Sequence, residues 1–282
     1  DVYSWVYISG LLAAFISPLT GPLIERFTLV PTIRALYLLS LVVMTIKFFA
    51  MNALVAETQQ GLVRMQETKD QSLFAVLGGS SDVLRKILQT PATLFTTGLM
   101  LVLSICWMIK GTFWSILVTE KLLAPPEYLA YYHTARSLVM LAFFFVVMPR
   151  LRNMDVRPPM LVGFAGLIVS QIMLINIPAG DYVLLLIVTL LEACCIPLAN
   201  TMLDKLVVVT VEARERARIM AILYVIVLVF TTPFGWIAGR VSEVDRSLPF
   251  VLTIVLFAIG GLLTYLASRL AQGEFTTEEE TG

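Results

Sequence analysis

The chain has 282 residues, 58% of them hydrophobic and 14% charged, with a mean hydropathy of +0.86. A soluble domain is roughly 45–50% apolar and about 25% charged, so lipid must be the solvent for most of this chain. Its 20 basic and 20 acidic residues balance, which removes the electrostatic case for nucleic-acid binding.

The chain begins at Asp1 and enters an apolar run at once, with neither a basic leader nor a small-residue cleavage site. This is not a signal peptide; a processed or truncated start, within a longer protein, is the expectation. A membrane-crossing helix needs roughly 20 apolar residues. That criterion gives eight spans, at 3–24, 33–55, 93–118, 127–148, 159–178, 181–204, 218–240 and 248–270. The apolar runs are continuous rather than alternating, so a β-barrel is excluded and an all-α membrane protein remains. Short connections carry turn residues: Ala124-Pro125-Pro126, Arg157-Pro158-Pro159 and Pro178-Ala179-Gly180-Asp181.

The segment 56–92 is polar, with Arg64, Glu67, Lys69, Asp70 and the breaker Gly78-Gly79. After it, Ser81-Asp82 reads as a helix cap. Val83, Leu84, Ile87 and Leu88 then lie on one face, with Arg85 and Lys86 on another. Both a surface-lying amphipathic helix and a plain linker helix fit that spacing. The tail 272–282 is acidic and expected to be disordered. The three cysteines, Cys106, Cys194 and Cys195, lie in apolar runs without a CxxC spacing. They read as buried thiols rather than metal ligands or disulfides; neither a metal nor a cofactor is expected.

Basic residues set the orientation. Arg64, Lys69, Arg85, Lys86, Arg150, Arg152, Arg157, Lys205, Arg214, Arg216, Arg218 and Arg269 fall on one side, and Arg26, Arg34, Lys121, Arg240 and Arg246 on the other. Twelve against five places the long loop and the C-terminus in the cytoplasm, with the plasma (inner) membrane as the expected location.

Spans one and seven share a pattern. Ser17-Pro18, Gly21-Pro22 and Arg26 in the first correspond to Thr232-Pro233, Gly235 and Arg240 in the second. The following spans open alike, with Arg34-Ala35-Leu36 and Arg246-Ser247-Leu248. Such a match six spans later, in the same membrane direction, suggests two parallel repeats of six helices.

Three cytoplasmic segments add to this: Met148-Pro149-Arg150-Leu151-Arg152-Asn153 with Arg157-Pro158, Glu212-Ala213-Arg214-Glu215-Arg216-Ala217-Arg218-Ile219, and the long loop 56–92. Together with the repeat, they make the chain resemble a bacterial major facilitator superfamily transporter from its fifth helix to its last. The resemblance implies that residues 1–55 are the last two helices of an N-terminal bundle and 56–92 the central loop. It makes 93–271 a complete six-helix C-terminal bundle, and it implies that the missing N-terminal helices belong to the full-length chain. It also implies that spans three and six line a central cavity.

Charges deep in a bilayer are costly and persist where they face a cavity or pair with each other. Lys47, Lys110, His133, Arg136 and Glu192 are such residues, with Gln171 and Asn200 as neutral companions. Glu192, Lys110 and Arg136 are expected to form a polar cluster. Arg136 or Lys110 would attract an anionic group, Trp107 or Trp114 beside Ser104 would form an apolar wall, and Glu192 would exchange partners with substrate or a proton. A permanent ion pair holding helices together is the competing reading. His133 lies nearer the outer boundary, where a surface role or proton transfer is open, and Lys47 snorkels or faces the missing half.

Pro18, Gly21, Pro22, Pro233 and Gly235 are candidates for gating by helix bending or for static kinks, and Gly21, Gly235 and Gly239 for close helix approach. Asp204, Glu212, Glu215, Arg214, Arg216 and Arg218, with Arg150 and Arg152 nearby, are candidates for cytoplasmic ion pairs.

The expected function is secondary transport of a small solute by alternating access, with protons as a candidate co-substrate. A non-transporting membrane assembly protein is the alternative. A membrane-embedded enzyme is disfavoured by one histidine and by the lack of HExxH and GxSxG motifs, and ATP-driven transport by the lack of a Walker motif.

Overall fold

The computed structural model describes residues 20–56, 59–68, 89–151, 154–210 and 216–279. Every regular element among them is helical: α1 (Thr20–Phe27), α2 (Leu29–Leu54), α3 (Gln59–Thr68), α4 (Pro91–Ile116), α5 (Pro126–Val146), α6 (Met148–Leu151), α7 (Arg157–Ile175), α8 (Tyr182–Thr210), α9 (Arg216–Val244) and α10 (Leu248–Glu279). A π-helical turn, Leu117–Lys121, extends α4.

Prolines open α4, α5 and α7, where a missing N–H costs nothing because the first turn has no acceptor for it. Of the prolines that read as turn residues in sequence, Pro126, Pro158 and Pro159 fall in the first turn of α5 or α7, whereas Pro125 is the N-cap of α5 and Pro178 lies before α8. Thr28 has φ 65° between α1 and α2, and the Thr32 hydroxyl donates to the carbonyls of Leu23 at 3.1 Å and Thr28 at 2.8 Å, stitching that corner.

Among the described residues, seven helical stretches are long and apolar enough to cross a membrane: Val30–Leu54, Pro91–Lys121, Tyr128–Val146, Arg157–Ile175, Tyr182–Val208, Ile219–Val244 and Leu248–Leu266. The expected span at 3–24 lies outside the described residues except for its end in α1, and the amphipathic segment 81–92 is described only from residue 89. Large apolar side chains stand exposed along these helices, among them Phe48 and Phe49 on α2, Val162 and Val169 on α7, and Tyr224, Leu228, Phe230 and Trp236 on α9. Water would not tolerate that surface. The chain is a multi-pass membrane protein, helical in every regular element among the described residues. At its C-terminal end, α10 continues to Glu279, through most of the acidic stretch expected to be disordered. Gln272, Glu274, Glu278 and Glu279 are all compatible with helix propagation from the apolar turns before them.

The core lies in α4, α5, α7, α8, α9 and α10. Half or more of the apolar windows of α4 and α8 is buried, against less than a quarter in α5 and α9 and none in α2. The two central helices touch. Helix α4 also packs on α9 and α10, α8 packs on α5 and α7, and α7 packs on α10. Exchanging α4 with α8, α5 with α9 and α7 with α10 maps this set onto itself. The α9–α10 contact is the substantial one without such a counterpart. Each unit of the exchange has three helices, so one runs through the membrane opposite to the other.

The expected close-approach glycines differ from the observed ones. A Cβ at Gly239 would meet open space, and one at Gly235 would sit 3.6 Å from the Met108 sulfur, an ordinary contact. The tightest positions include Gly166, where a Cβ would collide with the Cys195 sulfur of α8, Gly163, where it would lie 3.2 Å from the Ala199 nitrogen of α8, and Gly260, where it would lie 2.7 Å from the Phe164 ring. These let α7 seat against α8 and α10. Gly260→Leu is expected to cost about 1–3 kcal/mol by overpacking, read as a lower unfolding midpoint in detergent. Gly239→Leu is expected to leave that midpoint unchanged.

Candidate functional site

Two helical stripes build the site. Leu103, Cys106, Trp107 and Lys110 recur at i, i+3, i+4 and i+7 on α4, and Glu192, Ile196, Ala199 and Asn200 at i, i+4, i+7 and i+8 on α8, so each set lines one face. The stripes meet and, with Leu167 of α7 and Phe257 of α10, enclose a pocket. Its free space is close to that of one water molecule.

At its heart Lys110 Nζ contacts Glu192 Oε1. The two residues are only 6% and 3% exposed. Beyond this contact neither atom has a hydrogen-bond partner among the described residues. Trp107 donates through Nε1 to Asn200 Oδ1 at 3.3 Å, tying α4 to α8 two turns along. The Arg136 guanidinium, midway along α5, lies 5.6 Å from the Trp107 ring centroid, an arrangement that attracts a cation to the ring face.

The structure therefore brings Lys110, Glu192, Trp107 and Asn200 into one pocket and sets Arg136 against its wall. Arg136 does not join Glu192 among the described residues; its contact is the Trp107 ring. Trp114 and His133 form a separate aromatic contact at 5.1 Å between centroids, with Tyr132 against Trp114 at 6.3 Å. His133 is exposed and Trp114 buried. Gln171 is fully buried, with its Oε1 unpartnered among the described residues. Lys47 lies on α2, exposed and away from the cluster.

Of the candidate bending residues, Pro18 lies outside the described residues, Gly21 and Pro22 lie in the first turn of α1, and Pro233 lies inside α9, which runs through it as one helix. Pro197 inside α8 is the one not anticipated. It is buried one residue after pocket-lining Ile196 and withholds the hydrogen bond that the Ala193 carbonyl would accept.

Of the candidate cytoplasmic ion-pair residues, Arg152, Glu212, Arg214 and Glu215 lie outside the described residues, and Arg216 and Arg218 are described in backbone only. Arg150 donates to the Val146 carbonyl of its own segment. Lys205, next to Asp204, donates to the Met154 carbonyl at 2.7 Å.

The ion pairs with defined geometry sit at the other end. There Arg246 donates to Glu120 at 2.7 Å, Lys121 lies 3.7 Å from Asp245, and Lys121 also contacts the Ser247 hydroxyl. The π turn after α4 carries Glu120 and Lys121 to this contact, so it joins α4 to the α9–α10 corner. The Ser247 backbone N–H donates to Asp245 at 2.7 Å and, with Lys121 adding to it, holds the carboxyl below its ordinary range.

A second face of α4 and its π turn carries Ser104, Gly111, Thr112, Ser115 and Thr119, half-buried or exposed, with Met108 among them. It is mostly small and polar where the exposed faces of α7 and α9 are apolar. Its spacing was present in the sequence but is masked there by the apolar residues between.

Breaking a buried ion pair by removing one partner costs about 3–5 kcal/mol, whereas replacing both partners by apolar groups is near neutral. Lys110→Met and Glu192→Leu are each expected to lower stability on that scale, and the double variant to recover most of it. Additive losses, measured by denaturant unfolding in micelles, would show that the pair is not coupled. No protein-family model and no curated protein matches the chain.

Proposed function

We propose that the protein is a secondary transporter of the major facilitator type, moving a small solute by alternating access. The observation that carries this reading is the buried Lys110–Glu192 pair with the Arg136 guanidinium on the neighbouring Trp107 ring, all away from the helix ends of a mostly apolar bundle. An isolated charge there costs about 3 kcal/mol on the lowest estimates and more than 10 on the highest. Hydrophobic residues of similar volume would serve stability at least as well as an ion pair. Retaining three charges is easier to understand if a polar solute meets them.

Two features of the fold support the same reading. The exchange of α4, α5 and α7 with α8, α9 and α10 is what an inverted three-plus-three plan, as found within each half of such transporters, would produce. The mostly small and polar second face of α4 suits a hydrated passage rather than lipid. In this proposal α4 and α8 line the passage, α2 belongs to the companion bundle, and the Arg157 end is cytoplasmic at the plasma membrane. The Lys110–Glu192 pair closes the resting site, and Glu192 is the group that exchanges a proton.

One observation favours the alternative, a static membrane assembly protein: the ion pair is packed against Leu167 and Phe257, as a structural strut would be. Flux separates the two. In proteoliposomes carrying the purified protein, solute-driven pH change reported by a trapped dye is expected to fall at least ~10-fold in Glu192→Gln and in Arg136→Ala, with unchanged amounts of folded protein. Equal flux in wild type and both variants would remove the cluster from transport.

A further inference from the structure

Among the described residues, and with partners taken from them alone, the charges in the bundle interior do not sum to zero. Glu192 is the one carboxylate away from the helix ends in the seven apolar helices, whereas α4 and α5 contribute Lys110 and Arg136. Glu192 is taken by Lys110. Arg136 is left with the π face of Trp107, which attracts a cation but carries no net charge.

Donors are in surplus as well. An ammonium has three N–H bonds, and Lys110 has the single contact with Glu192. Asn200 uses its Oδ1 to accept from Trp107, which leaves its Nδ2 hydrogens free to donate, and Asn200 lines the pocket. Lys110, Asn200 and the Arg136-bearing Trp107 thus surround one water-sized space that has one positive charge too many.

Resting on the transporter reading, we propose that this pocket binds a singly charged anionic group, the carboxylate of the carried solute or a free halide, with Arg136 as its counter-charge and Lys110 and Asn200 as donors. A cationic solute would add to the unneutralised charge of Arg136 behind the Trp107 wall. A neutral one would leave the surplus charge in place. An anion removes it, and the one-water space limits the part that enters to a carboxylate head or a single ion.

The test is calorimetric titration of the full chain in zwitterionic nanodiscs, in a buffer whose only other anion is sulfate. The probes are acetate, chloride, and the matched planar set benzoate, benzamide and benzamidinium. Saturable binding is expected for at least one of the three monoanions and for neither benzamide nor benzamidinium. Arg136→Gln is expected to weaken binding at least ~10-fold and Arg136→Lys to keep most of it. Asn200→Asp, which adds a carboxylate without touching the Arg136 stack, is expected to abolish it.

Binding of acetate or benzoate assigns the site to a solute's head group, and binding of chloride alone assigns it to an ion. Absence of monoanion binding overturns the proposal, as does unchanged affinity in Arg136→Gln or equal affinity for benzamide. Anion binding without anion flux in proteoliposomes would defeat the transporter reading and leave the site standing. Flux of neutral or cationic solutes with no anion bound would do the reverse.

Discussion

A charge placed in hydrocarbon must be met by an opposite charge or by enough hydrogen bonds to replace water, and that requirement organises this protein. The bundle satisfies it once, between Lys110 and Glu192. It satisfies it only partly at Arg136, which has an aromatic face in place of a carboxylate. Both partners of the pair are on the two helices with the most buried surface, so the ion pair and the helix-packing core occupy the same place. Moving either α4 or α8 relative to the other would have to break or carry the pair. The charge chemistry and the mechanics of the bundle are therefore one problem.

The packing explains why those two helices are central. Gly163 and Gly260 bring α7 against α8 and α10, and α10 in turn packs on α4. The peripheral helices thereby hold α4 and α8 in register, while the apolar faces of α7 and α9 look outward to lipid. At the Glu120 end the π turn carries Glu120 and Lys121 to the α9–α10 corner, where Arg246 and Lys121 hold Glu120 and Asp245. These exposed pairs are worth little individually, about 0–1 kcal/mol. They fix where a helix ends rather than how stable the bundle is.

Much of the fold was legible in the chain because lipid imposes a simple length rule. Seven of the eight expected spans correspond to helices, with ends displaced by a few residues where prolines started a helix instead of closing a turn. The charged site residues were legible for the same reason: Lys110, Arg136 and Glu192 stand out in apolar runs.

Their partners were not legible. Nothing in the order of residues tells that Glu192 prefers Lys110 to Arg136, since that depends on the relative rotation of α4, α5 and α8. The Trp107–Asn200 bond depends on it too, as does the separation of Trp114 and His133 from the pocket. Glycine roles were misread for a related reason. Gly235 and Gly239 stood beside a conspicuous proline, whereas Gly163 and Gly260 acquire their role from Ala199 and Phe164, which are remote in sequence. Pro197 went unremarked within a long apolar run, although it interrupts the hydrogen bonding of the helix that carries Glu192.

The central claim is that the space around Lys110 and Glu192 is a passage reached by water from each side in turn. It is tested most directly by placing a single cysteine at Asn200 in a background with Cys106, Cys194 and Cys195 replaced by serine. A water-soluble, membrane-impermeant thiol reagent is then applied separately to the two faces of the protein in sealed vesicles. The account predicts labelling from both faces, slowed by a saturating transported solute, while a cysteine at lipid-facing Tyr224 stays unreactive. Failure to label Asn200→Cys from either face would contradict the account and leave the ion pair as a structural brace.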